Sequence, residues 1–136
     1  MPETDLLVTI AGEADILSAR QRGKEIARTS GFSLGDQAVI AVAISEIARN
    51  ILLYAKRGEV RFDVVNDGGR SALVIVASDR GPGISDLELA LQEGYSTSGG
   101  LGLGLPGARR LMDDFEIESQ KGRGTTITMR KWRRNA

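Results

Sequence analysis

The period of the apolar positions changes several times along the chain, and each change predicts an element. Leu6 to Ile10 is a short apolar run that contains Thr9 and stops at Ala11-Gly12, the pattern of a strand. Ile16, Ala19, Gly23, Ile26 and Ala27 then recur three and four apart as far as Ser30-Gly31, which predicts a helix with its core face on those positions. A second helix opens at Ser33, a suitable N-cap with Asp36 three residues on, and carries a heptad-like stripe of Ile40, Ala43, Ile44, Ile47, Ile51 and Tyr54. Glu59 to Val65 alternates, with Val60, Phe62 and Val64 on one side and Arg61 and Asp63 on the other. Asn66-Asp67-Gly68-Gly69 turns it into a partner strand from Ala72 to Ala77. Leu105 to Asp113 is helical again, with Pro106 in its first turn and Ala108, Leu111 and Met112 inward. Phe115 to Ser119 and Thr125 to Lys131 flank the turn Gln120-Lys121-Gly122-Arg123-Gly124 as a closing hairpin. Between Asp79 and Leu103, Gly, Ser, Thr and Pro dominate, with room for a short helix at 86–92; this is long for a passive connection and predicts a mobile functional loop.

Composition narrows the classes. With 136 residues and 41% hydrophobic content, a single domain over 1–136 with one core is expected. Eighteen basic against eighteen acidic side chains leave no net charge to favour nucleic acid or a membrane surface, so partners must be recognised locally. Cysteine is absent, which removes disulfides and thiolate metal sites. Neither a signal peptide nor an apolar run of bilayer length stands out, so a cytoplasmic setting is expected. Histidine is absent too, so no imidazole can act as base, phosphoacceptor or zinc ligand, and acid–base work falls to Asp or Glu.

Within Ser45-Glu46-Ile47-Ala48-Arg49-Asn50-Ile51, Glu46 and Asn50 lie about 40° apart around a helix axis and share a flank with Val39, Val42 and Leu53. Polar groups on an apolar flank suggest a cleft. Asn50 has an amide oxygen for a magnesium ion, and Glu46 could orient or deprotonate an attacking hydroxyl; a solvated helix pair has the same spacing. Asp79, after a buried-looking strand and before Arg80-Gly81-Pro82-Gly83, places a carboxylate beside backbone that can approach a ligand, although an Asp-X-Gly turn alone looks the same. Gly99-Gly100-Leu101-Gly102-Leu103-Gly104 sets four glycines before a helix start, where backbone amides and the helix dipole favour phosphate oxygens. Gly102 to Gly107 spells GxGxxG, but Glu93-Gly94-Tyr95-Ser96-Thr97-Ser98 is no strand leading into it, so a dinucleotide fold is rejected. No Gly-Lys-Ser/Thr occurs either. Gly122-Arg123-Gly124-Thr125 is first a hairpin turn, with a hydroxyl to offer a base pocket.

Taken together, these segments resemble the GHKL or Bergerat-fold ATP-binding domains shared by gyrase, Hsp90, histidine kinases and MutL. The resemblance covers nearly the whole chain. It implies an α+β, two-layer α/β sandwich with a mixed, mostly antiparallel sheet and helices on one face. The N box would be Glu46 to Asn50, and the glycine boxes Asp79 to Gly83, Gly99 to Gly104 and Gly122 to Thr125. It further implies Glu46 as catalytic base, Asn50 as Mg2+ ligand, and ATP contacts at Asn50, Asp79, Gly81, Gly83, Ser98, Gly99, Gly100, Leu101, Gly102, Leu103, Gly104 and Thr125. Asp79 would meet the adenine amine, Gly83 and Thr125 the base pocket, and the second glycine box would form the lid.

Within that superfamily the chain resembles the small bacterial anti-sigma-factor type serine/threonine kinases, on the strength of Ser45 to Ala55, Asp79 to Ile84 and Gly94 to Gly107, and among them the stressosome switch kinases. The implied activity is transfer of the ATP γ-phosphate to Ser or Thr of STAS-domain stressosome scaffold or antagonist proteins, after which the released kinase binds a PP2C-type phosphatase, or its regulatory domain, and activates it. Ala48-Arg49 before Asn50, and the lack of a basic residue just before the lid glycines, argue against direct sigma-factor binding. The rival classes are a nucleotide-gated protein-binding regulator with little catalysis and a stand-alone ATPase. Arg49 is open between contact with phosphates or a docked partner and a plain exposed helix arginine, and Arg130, Lys131, Arg133 and Arg134 are expected to form a solvated basic tail.

Overall fold

Strands with one apolar face and helices with one apolar stripe can bury those surfaces only against each other. In the computed structural model, which describes residues 6–83 and 104–133, they do so in two layers. The elements are β1 (Leu7–Ile10), α1 (Glu13–Thr29), α2 (Leu34–Tyr54), β2 (Gly58–Asp67), β3 (Arg70–Asp79), α3 (Gly104–Leu111), β4 (Asp114–Gln120) and β5 (Gly124–Trp132). The expected short helix at 86–92 lies outside the described residues.

The α+β sandwich of the sequence reading is present. Its sheet runs β1-β2-β3-β5-β4 and is antiparallel at every described pairing, where a mixed, mostly antiparallel sheet was expected. The reason is local: β2–β3 and β4–β5 are hairpins, and β5 returns beside β3 in the opposite direction. Register brings Val60 opposite Ala77 and Phe62 opposite Ile75, and then Ile127 and Met129 beside those two, so one face is continuously apolar. α2 covers that face with Ile40, Ala43, Ile44, Ile47, Ala48 and Ile51, all buried. Each of the four isoleucines contributes about 1.5–3 kcal/mol by its burial, which makes α2 the centre of the core. Tyr54, expected in the stripe, is 38% exposed at the last turn of the helix.

Local signals set the helix ends. The Ser33 hydroxyl accepts from the Asp36 amide at 3.1 Å, and Asp15 Oδ2 accepts from the amides of Ala11 and Gly12 at 2.9 and 3.0 Å. α1 crosses α2 at Gly23, where a side chain would collide with Ile44 and Phe62. α2 has the length and apolar composition of a membrane span, contrary to the sequence reading, but it packs against α1, α3 and the sheet as a core helix does.

The basic tail is also corrected. Arg130 pairs with Asp114 at 3.1 Å, and Lys131, on the inner face of β5, is buried. Its Nζ donates to the carbonyl of Leu111, the last residue of α3, at 3.2 Å and sits 3.7 Å from Asp113. A cation there satisfies a free carbonyl and opposes the negative end of the helix dipole. Lys131→Met, which keeps the stem and removes the donor, is expected to lower stability by about 1–3 kcal/mol, read as a lower urea midpoint at unchanged m value.

Candidate functional site

A polar side chain on a core helix must be paired or must serve a ligand, because burying it unpaired costs stability. Glu46 and Asn50 are both 7% exposed. Glu46 Oε1 accepts from the Gly104 amide at 3.1 Å, while Oε2 lies 3.6 Å from Nη1 of Arg49. Asn50, one turn on, makes no side-chain hydrogen bond among the described residues. A cleft was expected beside Glu46 and Asn50; Val42, Ser45, Glu46 and Arg49 line a groove of about 280 Å³ with residues of α1, and Asn50 does not line it. Leu53, assigned to the same flank, is exposed.

A second cluster closes the far end of the sheet. Asp79 ends β3 between Gly58 of β2 and Thr125 of β5, and its Oδ1 accepts from the Gly81 amide at 2.8 Å. One carboxylate oxygen thus fixes the turn and leaves the other for a donor such as an exocyclic amine. Backbone surrounds it closely. A Cβ on Gly81 would stand 2.5 Å from that of Ala55 at the end of α2. Gly83 has φ 80 and lies against the Gln120 carbonyl, and the Gly122 amide donates to the Pro82 carbonyl at 2.8 Å. Gly124, at φ 110, passes directly beneath the Asp79 carbonyl. The buried Thr125 hydroxyl is 2.8 Å from that of Ser119. The segments 79–83 and 122–125, expected to belong to one pocket, are therefore one unit.

α2 joins the two clusters. From Glu46, beside Gly104, to Ala55, beside Gly81, is nine residues or about 13 Å of helix, with Asn50 between. That span suits a nucleotide whose base lies against Asp79 and whose phosphates reach Asn50. Gly104, expected to face phosphate, instead gives its amide hydrogen to Glu46. Ser98, Gly99, Gly100, Leu101, Gly102 and Leu103 lie outside the described residues. Two neighbours had not been picked out from the sequence as part of this site, Gly58 and Ser119, which only strand register places beside Asp79 and Thr125; nor had the pairing of Gly104 with Glu46, 58 positions away.

The buried acid–amide pair over an antiparallel sheet, with a glycine-lined end, defines an ATPase domain of the histidine-kinase type. The model for the histidine kinase-like ATPase domain matches residues 11–131, and the chain belongs to that family. It is 51% identical over 127 residues to the serine/threonine-protein kinase RsbT of Bacillus subtilis (strain 168), covering 93% of this chain and 96% of the relative. It is 29% identical over 98 residues to the anti-sigma F factor of Clostridium kluyveri, covering 68% of each chain. Among solved structures, the RsbU and RsbW domains of a Mycobacterium tuberculosis protein align with a TM-score of 0.66 at 23% identity, covering 96% of this chain and 33% of that longer one, and so share the fold.

Two glycines of the 120–125 turn separate backbone strain from pocket geometry. Gly122 has φ 80 with open space around a Cβ, whereas a Cβ on Gly124 meets the Asp79 backbone. Gly122→Ala should cost about 1–2 kcal/mol of stability and leave ATP affinity near wild type. Gly124→Ala should cost more and weaken ATP binding as well, as compared by urea titration and calorimetry.

Proposed function

We propose that this protein serine/threonine kinase transfers the ATP γ-phosphate to Ser or Thr of STAS-domain stressosome scaffold or antagonist proteins. Once released from them, it binds the regulatory domain of a PP2C-type phosphatase and activates it. The observation that carries the reading is the carboxylate of Glu46, buried on the core helix one turn before Asn50, with one oxygen held by a backbone amide. The likeness to RsbT over nearly the full length of both chains supports it.

In the proposed reaction the acceptor oxygen attacks the γ-phosphorus, the bond to the β,γ-bridging oxygen breaks, and ADP leaves. The hydroxyl proton passes to Glu46, the general base in a chain without histidine. Asp79 holds the adenine amine, and Gly81, Gly83 and Thr125 shape the base pocket. The buried carboxamide of Asn50, without a side-chain hydrogen bond among the described residues, offers an oxygen to a hard cation, and Mg2+ would complete its shell from phosphates and water. When bound, that ion would neutralise phosphate charge. The proposed setting is the cytoplasm. The anti-sigma F relative favours a second reading, a nucleotide-gated protein-binding regulator with little catalysis.

Glu46→Ala is expected to keep ATP affinity while transfer to a purified STAS-domain protein falls by about 10²- to 10⁴-fold. Undiminished transfer would remove Glu46 from the role of base. Asp79→Asn should weaken ATP binding by about ten- to a hundredfold, because a charged acceptor is lost; unchanged affinity in calorimetry would contradict the adenine assignment.

A further inference from the structure

The two oxygens of Glu46 are not equivalent, and this points to a task for the neighbouring arginine. Oε1 is engaged by the Gly104 amide at 3.1 Å. Oε2 faces Nη1 of Arg49 at 3.6 Å, too long for a hydrogen bond but within ion-pair distance. An oxygen attracted but not saturated in this way keeps a lone pair for an incoming hydroxyl. Arg49 is one turn from Glu46 on the same helix, and its side chain is 36% exposed where that of Glu46 is 7% exposed. Both side chains line the groove of about 280 Å³ between α1 and α2, together with Glu13, Arg20 and Ser45, so the free side of the pair opens to solvent.

We propose that Arg49 is a positioning residue for phosphoryl transfer: with the Gly104 amide on Oε1, it fixes the Glu46 carboxylate so that Oε2 receives the proton of the attacking hydroxyl. The inference rests on the reading of Glu46 as base and adds which oxygen acts and what aims it. A carboxylate held at one oxygen only can swing about that contact, and misplacement of a reacting group by about 1 Å is enough to cost 10²-fold in rate. Arginine suits the task because its charge persists at every working pH and its planar head is rigid.

The test is a double-mutant cycle on the full chain with Arg49→Ala, Glu46→Gln and both, read as ATP turnover with and without a purified STAS-domain protein. Arg49→Ala is expected to lower kcat by about 10- to 100-fold with the KM for ATP unchanged. Arg49→Lys, which restores the charge, should recover most of that loss. Glu46→Gln should lower kcat by about 10²- to 10⁴-fold, and adding Arg49→Ala to it should cost nothing more, since no anionic base is left to aim. Wild-type kcat in Arg49→Ala, a raised KM for ATP in place of a lowered kcat, or losses that multiply in the double variant would each overturn the proposal. A full-rate Glu46→Gln would overturn it by removing the base itself. Absence of transfer to the STAS protein, with the cycle still coupled in ATP turnover to water, would sustain the Arg49 assignment and locate the failure in the choice of acceptor.

Discussion

The structure depends on a carboxylate placed where carboxylates are costly. Glu46 sits on the helix that organises the core, and its burial is tolerated because Gly104, 58 positions later in the chain, delivers a backbone amide to one of its oxygens. That hydrogen bond ties the centre of α2 to the first residue of α3. The phosphate end of the proposed pocket is built around this contact.

The opposite end relies on backbone rather than side chains. β2, β3, β5 and β4 place Gly58, Asp79, Thr125 and Ser119 in one row, and the turns 79–83 and 122–125 close on each other with no space for a Cβ at Gly83 or Gly124. The side chain of Asp79 then has one oxygen committed to its own turn and one to offer. The proposed base pocket and a polar helix flank about 13 Å away are held in register by α2 itself.

Much of this was legible in the sequence where local physics decides. The stripe from Ile40 to Ile51, the Ser33 cap and the alternation of Val60 and Phe62 each follow from a period or a cap that tertiary structure only confirms. Glu46, Asn50, Asp79, Gly83 and Thr125 could be singled out as candidates only as a set, because each motif alone has an ordinary structural counterpart such as an Asp-X-Gly turn. What stayed hidden depends on contacts remote in sequence. Lys131 looked like part of a solvated tail because nothing nearby announces that its Nζ caps α3. Ser119 needed the β4–β5 register. Gly104 is read from the sequence as a phosphate-facing amide, since the helix-start argument cannot see a carboxylate so far away in the chain.

Glu46, Asn50 and Asp79 together make sense as a device that moves a phosphoryl group to a hydroxyl of another protein, and the fate of the γ-phosphate decides whether that is so. The direct measurement is mass-spectrometric mapping after incubation of the protein with magnesium, labelled ATP and the STAS-domain proteins of the same organism. The account predicts label covalently attached to a serine or threonine of a STAS protein, in step with ADP formation. Label recovered only as inorganic phosphate, or left in ATP while the partner is bound, would contradict it.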